Sequence, residues 1–252
     1  LKKILNISLL NKLKYKISLI NKLTHEEVNN IVSDSASDLV QKRYKVNELM
    51  LAALSFDPLV FNNTYRELAT VYSFREIYLE IFVKLMEYIG IRWQSSKITI
   101  AHGHFISNCI RQKVFSEIEK LNPTEKKKSD EVLVLFLPDN EIHELSLLYL
   151  HYEYLSRGYN SIFLGQSTPL ESLRSLQRVY SNITFISKLT VQPTSEKLEE
   201  YLSEFEDVLL KNSSNQLWVT GPIVKGKETL LSNEKVVVFN EITKMLNKKP
   251  AL

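Results

Sequence analysis

One cysteine in 252 residues, Cys109, is too few for a disulfide framework or a cysteine-rich zinc site. A reducing, cytoplasmic setting is the simplest expectation. Glycine and proline are also scarce, at 6 and 7 residues, which argues against low complexity or a long disordered stretch. An excess of one charge sign is nearly absent: 32 Lys and Arg stand against 29 Asp and Glu, and the net value of +3 is too small to point to nucleic acid by itself. No apolar run reaches the ~18 residues that a membrane helix needs, so no membrane partner is expected. The opening "LKKILNISLLNKLKYKISLI" is not a secretory signal, because lysines interrupt any apolar core. The chain opens on Leu1, and the expectation is that it starts partway into a longer protein.

With 44% hydrophobic and 24% charged residues, the composition is that of ordinary globular protein, long enough for one large domain or two modest ones. Residues 1–121 read as helical. In "LKKILNISLLNKL", Leu1, Ile4, Leu5, Ser8, Leu9 and Lys12 share one helical face. "KISLINKL" fits a second short helix, and Thr24 with Glu27 opens a third by a capping box. Between Lys45 and Leu121 the spacing predicts four helices: "VNELMLAALSF" up to Asp57-Pro58, "PLVFNNTYRELATVY" with Pro58 in its first turn, "FREIYLEIFVKLMEYIGIRW" opened by Ser73 and Glu76, and "SSKITIAHGHFISNCIRQKVFSEIEKL". Short connections suggest a four-helix bundle over 36–121, with 1–35 apart from it.

"NPTEKKKSD", residues 122–130, reads as a linker. Over 131–252 the pattern changes to apolar strands alternating with helices: "EVLVLFL", "NSIFLG", "ITFISKLTV", "NQLWVTG" and "VVVFN" as strands. "TPLESLRSLQRVYS" is expected as an α-helix with Thr168 as cap, Pro169 at its first position and Glu171 closing a capping box. The fold class is therefore α/β with an all-α N-terminal part: a four-helix bundle packed on a five-stranded parallel Rossmann-like (flavodoxin-like) sheet.

His143 sits just past the first strand, and open parallel sheets bind ligands outside the carboxyl ends of their strands. The plain alternative is a histidine that satisfies loop backbone. Glu141-Ile142-His143-Glu144-Leu145-Ser146 resembles the Asp-x-His-x-x-Gly signature of cobalamin-binding domains, with Glu for the acid and Ser for the glycine. The resemblance implies that His143 is the lower axial ligand of cobalt, that Glu141 orients it, and that Ser146 leaves room for the corrin. Ser187-Lys188-Leu189 resembles the family's Ser-x-Leu at the next central strand end, and Thr220-Gly221 stands where the family has Gly-Gly. Ser187, Leu189, Thr220 and Gly221 are thereby implied beside the nucleotide tail.

"PDNEIHELSLLYLHYEYLSRGYNSIFLGQSTPLESL" is similar to the cobalamin domain of MerR-type transcription regulators, a group that includes adenosylcobalamin-dependent photoreceptors. Their bundle carries a Trp, nine residues, then Glu-His over the upper cofactor face. Trp93 and His104 match, Gly103 replaces the glutamate, and Gln94 stands where the photoreceptors have a histidine. Taken singly, Trp93 would be core and His104 a satisfied bundle histidine. The first 23 residues resemble the last helices of a MerR-type DNA-binding domain, with Lys14 for a usual Gly. The implied protein is a non-enzymatic cobalamin sensor, adenosylcobalamin being the expected form. It would control oligomerisation to a dimer or tetramer, and bind a DNA operator through an upstream domain outside this chain. Two rivals stay open: a sensor or oligomerisation module that keeps the fold without cobalamin, and a corrinoid methyl carrier. A zinc site is disfavoured, since His102 and His104 diverge on a helix. His25 and His151 are expected to be surface or packing residues.

Overall fold

The computed structural model describes residues 10–11, 15–20, 22–34, 38–95, 98–121 and 131–248. The chain divides into two compact units, 1–112 and 113–252, and the division falls inside the helix Ile100–Lys120. The expected linker 122–130 and most of the stripe from Leu1 to Lys12 lie outside the described residues.

In the N-terminal unit, short helices Ile17–Ile20 and His25–Asp34 precede the bundle. The Thr24 capping box is formed: Glu27 N–H donates to Thr24 Oγ1 at 3.2 Å, and Thr24 N–H to Glu27 Oε2 at 2.6 Å. Leu10, Ile20 and Val28 bury against Tyr44 of the next helix, Asp38–Ser55. That helix starts earlier than its apolar pattern suggests. The buried Lys42 ties its first turn together, with Nζ 2.7 Å from Asp38 and 2.8 Å from Glu80, so a polar face extends the helix ahead of the apolar one.

Helix Pro58–Ala69 begins as its sequence requires: Asp57 accepts from Leu59 and Val60 N–H at 2.8 and 3.1 Å, and Pro58 occupies the first turn. The Ser73–Glu76 capping box opens Phe74–Glu76 as expected. The turn then widens into a π-helix, Ile77–Phe82, before α-geometry resumes at Val83–Gln94. Sequence periodicity predicts one uninterrupted α-helix here. Ile77, Tyr78, Ile81 and Phe82 are all buried, and an extra residue per turn turns this broad apolar set inward, where Phe61 and Tyr65 stack on Phe82.

In the C-terminal unit, β1 (Glu131–Phe136), β2 (Ser161–Gly165), β3 (Asn182–Lys188), β4 (Gln216–Thr220) and β5 (Val236–Phe239) form an all-parallel sheet in the order β2-β1-β3-β4-β5. This is the flavodoxin-like order, with its switch point between β1 and β3. Alternate residues serve opposite faces. Val132, Val134 and Phe136 join Ile183, Phe185, Leu217 and Val219 in one core, covered by Leu198–Phe205 and the π-helix Glu206–Leu210. Both faces of β1 and β4 are buried, which is why these strands read as continuous apolar runs.

The segment after β2 departs from expectation. Leu170–Arg178 is a 3₁₀-helix, Pro169 is its cap, and no side chain caps it, so the Thr168–Glu171 capping box does not form. Its apolar residues recur every third position: Leu170, Leu173 and Leu176 all pack on the core. A spacing of three aligns in 3₁₀ geometry and drifts in α geometry. A closing helix, Ile242–Asn247, was not expected from sequence. Its Leu246 carbonyl accepts from Arg157, which also pairs with Glu153 at 3.0 Å.

Candidate functional site

The chain leaves β1 through Leu137 and Pro138 and turns at Asn140, which adopts φ 62°, a conformation that asparagine tolerates. The loop is fastened to the one after β2: Thr168 N–H donates to Leu137 O at 2.8 Å, Ser167 N–H to Glu141 O at 3.2 Å, and Gln166 Nε2 to Ile142 O at 3.1 Å. Helix Leu145–Ser156 follows at once. His143 is therefore held between a strand end and a helix start by a rigid hairpin of backbone contacts.

Glu141 is fully buried, and its two oxygens accept six hydrogen bonds. Oε1 takes Ile142 N–H (2.9 Å), His143 N–H (3.0 Å) and His143 Nδ1 (2.6 Å). Oε2 takes Thr190, Val191 and Gln192 N–H at 3.1, 2.6 and 3.0 Å. Burial alone would raise the carboxyl pKa, but the N–H groups of Gln192, Val191 and His143 and the imidazole hold it down at about 2. An ionised carboxylate only accepts, so the proton between the two groups belongs to Nδ1. The carboxylate engages Nδ1 and not Nε2, on a side chain that is 50% exposed. That is the arrangement by which a carboxylate fixes a metal-binding imidazole.

The other sheet residues gather at the same edge. Ser187 pairs in register with Phe136 of β1 and Val219 of β4, and its buried Oγ has no hydrogen-bond partner. Leu189 N–H donates to Thr220 O at 2.8 Å, and both residues are buried. Ser146 Oγ accepts from Lys188 Nζ at 2.8 Å. Gly221 packs closely against backbone. With φ 122°, its missing Cβ would lie 2.2 Å from Leu189 O, so the close approach the glycine permits is to the neighbouring loop's backbone.

In the helical unit, Trp93 lies near the end of its helix and is 55% exposed, and His104 is exposed on Ile100–Lys120. Neither is a core residue. His102 accepts from Thr99 N–H at 3.1 Å and stacks on Phe56, which accounts for it without a metal. Among the described residues no group of three or more metal-ligating side chains gathers. His151 is buried on Ser161 Oγ at 2.8 Å, and burial lowers its pKa to about 4. The side chain of His25 lies outside what is described. Lys188, the 190–192 amides and the buried hydroxyl of Thr190, also without a partner, were not anticipated. A lysine closing an apolar strand is the one signal the sequence offered for them.

A helical unit is followed by a flavodoxin-ordered sheet, with an oriented histidine past its first strand. Residues 45–115 match the family model described as B12 binding domain. Over 161 residues, 64% of the chain, it is 26% identical to the HTH-type transcriptional repressor CarH of Myxococcus xanthus, which bears out the resemblance to such regulators. The chain spans about half of that relative, 52% of its length. The monomethylamine corrinoid protein of Methanosarcina barkeri shares the fold with a TM-score of 0.63 at 11% identity, over 81% of this chain and 93% of that one. No helix among the described residues is long and apolar enough to cross a membrane.

Proposed function

We propose that this chain is the cobalamin-sensing region of a transcription regulator, with adenosylcobalamin as its ligand, and that it is not an enzyme. The observation that carries the reading is the bond from His143 Nδ1 to the buried Glu141, which presents Nε2 beyond β1. The orphaned Ser187 and Thr190 hydroxyls at the same edge fit a site built to receive a polar ligand. Cobalt in a corrinoid supplies a Lewis acid that accepts an axial nitrogen. On this reading His143 Nε2 is that nitrogen, Glu141 holds the ring in one tautomer, and Ser146 leaves space beside it. Ser187, Leu189, Thr220 and Gly221 line the tail pocket, Gly221 indirectly through the Leu189 backbone. Trp93 and His104, exposed on the helical unit, are the residues there that the reading assigns to the cofactor.

Sensing follows by linkage: a ligand that binds one arrangement of the protein better raises the population of that arrangement. The output is oligomerisation, as a dimer or tetramer, which positions upstream DNA-binding domains on an operator. The similarity to CarH supports this output.

The test is colour. Protein mixed with adenosylcobalamin in darkness and then desalted is expected to stay red, and His143→Ala, folded by circular dichroism, is expected to lose the colour or change its axial spectrum. A colourless wild-type product overturns the reading. Light response is the finer form of the proposal. Size-exclusion profiles before and after green light check it, and identical profiles remove it. Cobalamin-dependent operator binding by a version carrying the upstream domain separates a sensor from a methyl carrier.

A further inference from the structure

Lys188 closes β3 opposite Thr220 of β4, at the end of an otherwise apolar strand. Its Nζ donates to Ser146 Oγ at 2.8 Å, and among the described residues no carboxylate lies within ion-pair distance of it. Glu141 acts on it only through space, and both Glu141 oxygens are already saturated by six donors. An ammonium has three protons to donate, and Ser146 takes one. Burial pulls the Lys188 pKa down, against the weaker opposing effect of the Glu141 charge. Among the described residues Oγ1 of Thr190, two residues after it, is also buried without a partner, while Ser187 turns to the opposite face of β3. A cation with two unused N–H groups at this strand end, and the unpartnered Thr190 hydroxyl of the loop that follows it, make a complement for an oxyanion. Cobalamin carries one such group, the phosphodiester of its nucleotide tail; its other polar side chains are mostly neutral amides.

We propose that Lys188 is the anion contact of this site, binding the phosphodiester of the nucleotide tail and selecting complete cobalamins over corrinoids that lack the tail. The proposal rests on the cobalamin reading above. Ser146 then has a second duty: its hydroxyl holds the ammonium in place before the ligand arrives.

The test uses the full chain in phosphate-free buffer. Wild type, Lys188→Met and Lys188→Arg are titrated by absorbance with aquocobalamin and with aquocobinamide, the same corrin without nucleotide or phosphodiester. Lys188→Met is expected to weaken cobalamin binding about tenfold or more, the scale of one charge-assisted hydrogen bond, and to leave cobinamide binding within about twofold. Lys188→Arg, which keeps the charge, is expected to recover most of the loss. Equal losses for both corrinoids, or no loss for either, overturn the proposal while the cobalamin reading stands. A folded wild type that binds neither corrinoid overturns both.

Discussion

Replacing Glu141 by glutamine swaps a charge for a dipole at a point where six donors converge. The amide oxygen can serve one of the two sets of donors. The amide NH₂ then faces the other set, so three N–H groups are left without an acceptor. The magnitude follows from the carboxyl pKa, which falls from 4.5 to about 2 on folding. At about 1.36 kcal/mol for each pH unit, this gap corresponds to on the order of 3 kcal/mol of stability. The folded-state value is depressed, so this contribution is fully present above about pH 4.5 and is lost as pH falls towards 2. Near pH 3 somewhat less than half remains. The sheet unit can be followed through the fully buried Trp218, in a Trp93→Phe background that removes the other tryptophan. Urea unfolding at about pH 7 is expected to show Glu141→Gln less stable by roughly 2–4 kcal/mol, the cost of unsatisfied buried donors. At about pH 3 the difference should shrink to under half. Exposed carboxylates such as Glu76 and Glu196 titrate in both proteins and cancel. A difference that stays constant from pH 7 to pH 3, or a variant as stable as wild type, would refute the assignment of an ionised, saturated carboxylate.

Other substitutions probe neighbouring steps of the reasoning. Gly221→Ala places a Cβ 2.2 Å from Leu189 O at φ 122°, and should cost more than about 4 kcal/mol by urea unfolding of the sheet unit; a loss under about 1 kcal/mol would contradict the close approach. Ser187→Ala removes a buried hydroxyl with no partner, so the ligand-free protein should gain roughly 1 kcal/mol while cobalamin affinity falls. A variant that is both less stable and equally avid speaks against a pocket there. Gly103→Ala adds a Cβ that meets only Ile89 Cγ2, at 3.8 Å, and should stabilise the helical unit by about 0.5–1 kcal/mol in thermal or urea melts; destabilisation would show that the position does not tolerate a side chain.

What could be read from the chain was what neighbours in sequence decide. The strands were legible because a parallel strand buried on both faces must be apolar throughout, as in Val132–Phe136. Helix starts were legible where a cap lies within three residues of its acceptor, as at Thr24, Asp57 and Ser73. Departures arise where tertiary packing chooses between similar local geometries. Leu170, Leu173 and Leu176 suit a 3₁₀ turn only because the sheet lies on that side, and the π-helix at Ile77–Phe82 depends on Phe61 and Tyr65 across the bundle. Within the site, Glu141 and His143 are two residues apart and could be paired by motif. The amides of Thr190, Val191 and Gln192 come from 49 to 51 residues away, and nothing in their own sequence marks them as carboxylate donors.

Those distant amides also bear on how Glu141 holds the His143 ring. A carboxylate with few hydrogen-bond donors keeps proton affinity of its own and can draw the Nδ1 proton of a neighbouring imidazole towards itself. Glu141 shares its charge with five backbone N–H groups before His143 Nδ1 is counted, and its pKa near 2 shows how little proton affinity remains. It accepts the Nδ1 proton firmly at 2.6 Å without drawing it away. The loop after β3 thus does more than pack against the loop after β1: by saturating Glu141 it fixes the hydrogen bond that orients the His143 ring.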